Sequence, residues 1–586
     1  MPAHLSSPDL PGYLEDCLQR HCGAQHAGEV KRLMRPAAEL MRVDSLKCFK
    51  ASRLSFADVL IRKMTREEWR IELVSSVCED DAAAKFVYHI SAGGHEFTYI
   101  ARAYPWDGIE KVGRRSDGAN RDLFGALFVG VADQERIARE FATFDTKSEG
   151  LAMRTDADVM GWTPANRSSR HFDTLVDWLA RGEQPPAEQA NGYLMRNGGF
   201  QSSGRNGSVS FLGIPEDHPL AHPFFADLFA VYLVRLVSID LANAVARQRN
   251  PAAAQLDPAI ARQLGIGNSS GQGMCVALQR WPHWVATWVV VRETAIAFAK
   301  HQKVTDAGRA KMHETIAHTI GIYRRTDPQS EDYVASNEVI IADLKRVDAA
   351  IDDPALERWN DLADALAERI DPESREQLNS MLLDLVPEFC DAVAPYLKIG
   401  AARRRSLKPE MTVRSLRDIL RRNYGWALRS DRTLAASHQH FWYHSADNGE
   451  QRRGERIVDQ HEHFESFIDH IGLIHRLAAV LASHDDDVLA GDVVLAHPEL
   501  HFAISRVQYL DGLAYAEIWG GLADRDFRPA DLIRFFLASL GIRGSTPLSI
   551  RYVRGTFFQD QPLPADFSPD RSKAASSQAD MERILS

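Results

Sequence analysis

Two long apolar stretches, each interrupted by charge, restrict the possible folds of this chain most. Residues 224–246 read FFADLFAVYLVRLVSIDLANAVA and contain Asp227, Arg235 and Asp240. Residues 284–299 read WVATWVVVRETAIAFA and contain Arg292 and Glu293. A membrane span needs roughly 18 or more apolar residues with almost no charge. Neither stretch meets that requirement, so no membrane association is expected and both read as helices of a protein core. A buried charge without a partner is costly, so these five must pair or face a polar cavity. Should both helices border one cavity, Arg235 and Arg292 become candidate ligand contacts.

A chain of 586 residues exceeds what one core usually organises. Its 45% hydrophobic and 25% charged residues are ordinary for a packed protein. The formal net charge of -11 argues against a dedicated nucleic-acid binder, which would carry a basic face. Six scattered cysteines without a CxxC suggest reduced thiols, hence the cytoplasm. Residues 1–17 show neither a basic nor an apolar leader segment, so no secretory signal is expected.

Residues 69–77, 85–91 and 95–103 are rich in β-branched and aromatic residues, with Ala92-Gly93-Gly94 before the third run. This pattern predicts a three-stranded antiparallel meander. Helices are expected over 121–144, 170–180, 224–248, 282–302, 307–325, 334–350, 354–369, 373–391, 412–424, 457–483 and 529–540. Asp511-Gly512 between two apolar runs predicts a hairpin of 500–509 with 513–519, and 548–553 reads as a strand. Residues 192–223 read as a long irregular connection. The expected class is α+β, predominantly α-helical. It comprises a small N-terminal antiparallel sheet (1–150), a central helical core (151–400), a mixed α/β region (401–560) and a polar tail (561–586).

Two glycine-rich segments carry the functional reading. They are NGGFQSSGRNGS at 197–208 and GIGNSSGQG at 265–273. Glycine permits close backbone approach to a ligand, and Asn and Ser supply hydrogen bonds. A loop feeding a helix also offers free N–H groups to an anion. These properties predict one pocket for a polar, anionic small molecule. Arg196, Arg205, Asn206, Asn268 and Ser270 would bind it, together with Arg235 and Arg292. Neither segment matches a phosphate-loop pattern, and no clear strand precedes the second.

Residues 267–271 fit GxSxG, which makes Ser269 a candidate nucleophile. The residues before it look helical, however, and the strand–helix alternation of a hydrolase sheet is not evident. Acid–base groups near the first segment are His218 and His222, with Asp217 beside them. His438, His440, His444, His461, His463, His470 and His475 cluster late in the chain, without a spacing that defines a metal site. His313 and His318 are five residues apart, which turns them to different sides of a helix. No metal and no cofactor are therefore expected.

These features together suggest a cytoplasmic enzyme acting on a small anionic or carboxylated substrate by hydrolysis or elimination. Its expected partners are that substrate and, through apolar surface, a second copy of itself. The alternatives are a non-catalytic helical interaction protein and a metal-dependent enzyme using the late histidines.

Overall fold

The computed structural model describes residues 10–42, 45–105, 122–145, 159–168, 171–186, 192–197, 214–268, 281–325, 331–402, 406–429, 440–445, 451–455, 462–464, 470–517, 529–543 and 555–567. Within them the protein is a helix-dominated α+β fold, as the sequence suggests.

One nine-stranded sheet organises most of the chain. Its first three strands, β1 (Arg70–Cys78), β2 (Ala84–Ala92) and β3 (His95–Ala103), form the expected meander. β4 (Leu123–Val129) and β5 (Val159–Arg167) continue the antiparallel order. β6 (Gly192–Asn197) pairs antiparallel with β5 and parallel with β7 (Leu264–Asn268). A second, three-stranded sheet contains β8 (His440–Ser445), β9 (Gln451–Glu455) and β10 (Glu462–Phe464). The short strands β11 (Ile542–Arg543) and β12 (Gly555–Phe557) complete the large sheet, with β12 against β7.

This sheet curls around a single helix, Phe225–Arg249, which is the first of the two charged apolar stretches. Trp69 packs edge-on against Phe229 at 5.2 Å, and a Cβ on Gly161 of β5 would lie 3.6 Å from that of Ala230. Tyr88 of β2 donates to Asp240 at 2.6 Å. The helix is long and apolar enough to span a membrane, but 83% of its apolar window is buried inside the protein.

Arg235, at mid-helix, is buried and satisfied by backbone. Its Nε donates to the carbonyl of Leu264 at 2.7 Å, and its Nη groups reach those of Ala261, Arg262, Gln561 and Pro562. Burial pushes its pKa down to about 10, with Tyr232, Asp560 and Asp566 working against that. One guanidinium thus staples β7 and the C-terminal segment to the central helix. Arg235→Met keeps the apolar stem and takes a donor from five carbonyls, of which those of Ala261, Arg262 and Pro562 keep the Leu264 N–H, the Asp560 N–H and the Tyr232 hydroxyl. Urea unfolding is expected to show a loss of about 2–3 kcal/mol, with faster protease cleavage near 558–567.

Several expectations fail in instructive ways. Residues 123–129 (LFGALFV) are a strand, and the helix expected over 121–144 is confined to Gln134–Asp145. β4 is covered on both faces, so it shows no polar alternation and its sequence looks like a buried helix. The hairpin expected around Asp511-Gly512 is instead a helix, His501–Leu510. Gly512 has a φ of +81°, so the pair ends that helix and does not turn a strand. Ala503, Ile504 and Val507 pack there into a second, wholly helical core with Leu416, Ile419 and Ile474. Of the helix expected over 457–483, the described part is β10 and the helix His470–Ala482. The strand expected at 548–553 lies outside the described residues.

Candidate functional site

The glycine-rich segments start side by side. In the parallel pair, Arg196 stands opposite Gly267 and Asn197 opposite Asn268. The region read as irregular therefore opens with a strand, β6, while the residues before the second segment are helical (Pro258–Gln263), as expected, and β7 is formed mainly by that segment's own first residues. The first glycines of that segment serve the sheet. A Cβ on Gly265 would lie 2.2 Å from the Thr556 methyl, and one on Gly267 2.8 Å from the Tyr193 ring.

The two apolar helices that follow these segments in sequence, the central helix and Pro282–His301, start in contact with each other. Phe224, the residue before the central helix, meets Trp284 edge-on at 5.1 Å. Phe224 has a φ of +65°, a left-handed conformation that costs a bulky residue energy and is held here by aromatic packing. Phe56 lies 4.9 Å from its ring, and Trp281 stacks on Trp284 at 5.0 Å. These side chains line a narrow, half-open cleft with an interior volume of about 20 Å³, completed by Val285, Trp288 and Phe536. Trp281, at the cap of that helix, and Trp284 and Trp288 within it are spaced i, i+3 and i+7. That spacing was the signal available in the sequence for this cleft.

His222 stacks on Phe225 with rings 3.9 Å apart, beside Phe56. Its Nδ1 lies 3.1 Å from the Pro223 carbonyl and so donates, which makes Nε2 an acceptor without a partner among the described residues. Burial lowers its pKa to about 3. His218 accepts the Leu220 N–H at Nδ1 and packs 4.8 Å from His95. Its pKa falls to about 4, through burial first and His95 second, against the pull of Asp217. Both rings are neutral at pH 7 and are weak bases. Asp217 is exposed beside them.

The expected cationic wall is only partly present. Arg196 is buried on β6, opposite Asn166 of β5 and Gly267 of β7. Arg235 is spent on backbone carbonyls, as above. Arg292 lies behind Trp288 and binds Glu376 and, at 2.8 Å, Ser380. These two arginines are structural, because burial forced each to find protein acceptors. Arg205, Asn206, Ser269 and Ser270 lie outside the described residues, as does the side chain of Asn268.

Among the late histidines, backbone register sets His444 of β8 opposite His463 of β10. His475 instead bonds the Ala427 carbonyl at 2.9 Å. His438 and His461 are outside the described residues. His313 lies between Asp348 and Asp352, which raise its pKa. Comparison with family models, curated proteins and solved structures finds no match to this chain.

Proposed function

We propose that this chain binds a small molecule with an apolar body and an anionic head, and acts on it by hydrolysis or elimination in the cytoplasm. One observation carries the reading: Asn197 and Asn268, one in each glycine-rich segment, are paired in the sheet, and Phe224 and Trp284, at the starts of the two apolar helices that follow in sequence, are in contact. The helix starts that follow those segments border an apolar cleft, the usual lining of a small-ligand site. The carboxyl ends of adjacent parallel strands are also a common place for ligands in mixed sheets. In this reading the cleft takes the apolar body. Arg205, Asn206, Ser269 and Ser270 take the head.

A second reading, a binding protein without catalysis, is favoured by the low pKa of His218 and His222. A general base works best near the ambient pH.

Val285 lines the cleft and is only partly buried, so Val285→Phe should fill it at a cost of about 1–2 kcal/mol. A library of small carboxylates is screened by thermal shift and tryptophan emission. Ligands are expected to shift the parent protein, and to lose that effect in Val285→Phe and in Arg205→Ala. Equal shifts in all three proteins, or no shift from any compound, would remove the proposal. Binding without conversion, followed by NMR, would select the second reading.

A further inference from the structure

A second cluster lies in the helical half of the protein and does not depend on the glycine-segment reading. His26 and Glu29 occupy adjacent turns of the helix Ala24–Arg32 at spacing i, i+3, so they share a face. His301 is the last residue of the second apolar helix. The first helix packs on the second through buried residues that include Ala27 and Val30. Two rigid elements thereby hold three side chains together across 272 residues of sequence.

His26 Nδ1 and His301 Nε2 each lie 3.1 Å from the same oxygen, Oε2 of Glu29. The two imidazole rings are 5.5 Å apart, tilted by 49°. The ligand atoms of the three residues all fall within 4.8 Å of one another. Donors at those separations surround a point no more than about 2.5 Å from each, close to zinc–nitrogen and zinc–oxygen bond lengths. We propose that His26, Glu29 and His301 bind a divalent transition-metal ion of the zinc type.

Ligand chemistry and surroundings agree with this. Two imidazoles and a carboxylate suit zinc and its neighbours far better than magnesium or calcium, which prefer oxygen alone. His301 is mostly buried, and Arg358 donates to its backbone carbonyl, which fixes that helix end. His26 and Glu29 keep 41% and 48% of their side-chain surface, so an ion enters from solvent and retains water at its open positions. The nearby Lys300 is engaged electrostatically with Arg35, Glu293 and Glu376. In the ion-free protein the two N–H groups share the carboxylate. Metal binding takes the lone pair of each of those nitrogens, so each neutral ring carries its proton on the other nitrogen, and the fold is unchanged.

The test uses full-length protein stripped with a chelator and titrated with Zn²⁺ against a chromophoric competitor. His26→Ala is the main variant, because His26 is exposed and its loss leaves the core intact. Glu29→Gln keeps size and one acceptor. One tight equivalent is expected in the parent protein. His26→Ala should weaken it by 10-fold or more, and His301→Ala likewise where circular dichroism confirms folding. Co²⁺ at the same site should give the visible absorption of a four- or five-coordinate ion, lost in His26→Ala. Equal zinc affinity and equal cobalt spectra in parent and His26→Ala would overturn the assignment, as would no tight equivalent in the parent.

Discussion

Glu376→Ala should unfold at a much lower urea concentration than the parent protein, with a loss of about 3–5 kcal/mol. Glu376 receives Arg292 on one carboxylate oxygen and Arg35, at 2.8 Å, on the other. Arg35 also forks onto Glu293 with bonds of 3.0 and 2.6 Å. Burial alone would raise the carboxyl pKa of Glu376, but Arg292 and Arg35 overcome it and hold the group at about 2. Removing Glu376 leaves Arg292 with the Ser380 hydroxyl at 2.8 Å and Glu293 at 3.7 Å, inside a core where it has no exposure. The cost comes from an uncompensated buried cation more than from a lost attraction. Glu376→Gln should lose less, because an amide oxygen still accepts. Glu314→Ala is the control: Glu314 pairs with Lys311 at the surface, and its loss should stay within about 0.5 kcal/mol.

Acid should weaken the fold well before the carboxylates of that network protonate. His222 has a pKa of about 3 in the folded protein, while an unfolded histidine titrates near 6.5. The folded state therefore refuses a proton that the unfolded chain accepts. The stability this represents is fully present above pH 6.5 and is lost as pH falls from 6.5 toward 3. Between pH 7.5 and 4.5 the share of His222 is about 2–3 kcal/mol. His218, with a folded value of about 4, acts in the same direction. His222→Asn keeps a donor for the Pro223 carbonyl and removes the titration. Denaturant unfolding at the two pH values should show the difference shrink by that amount in the variant. An unchanged difference would mean that His222 reaches water when folded.

The parts of the fold legible in sequence were those with a local signal. β1–β3 carry β-branched and aromatic residues and the Gly93-Gly94 turn, which reveal the meander even though β3 is buried along Phe97–Ala103. β4 has six of seven residues buried and looks the same as a core helix. Asp511-Gly512 suits a hairpin and a helix end equally, and only the packing of Ile504 and Val507 against distant helices decides. The charged apolar helices were recognisable as core helices, since a charge at mid-span such as Arg235 or Arg292 is costly in a bilayer. Where those arginines bind was not, because Leu264, Pro562 and Glu376 are set by tertiary folding. The pairing of Asn197 with Asn268 and the meeting of Glu29 with His301 are invisible for the same reason. No local rule joins positions so far apart in the chain.

The stapling of β7 by residues near 560 has a consequence for synthesis on the ribosome. β12 pairs with β7 across nearly 290 residues, and two of the five carbonyls that receive Arg235 belong to Gln561 and Pro562. A nascent chain that has emerged only as far as residue 550 holds the central helix, yet must leave one edge of β7 open and part of a guanidinium unserved. Such a half-made sheet invites strands from other molecules. The protein is thus committed to finishing its main core last, and translation through the final β12 codons acts as the latch.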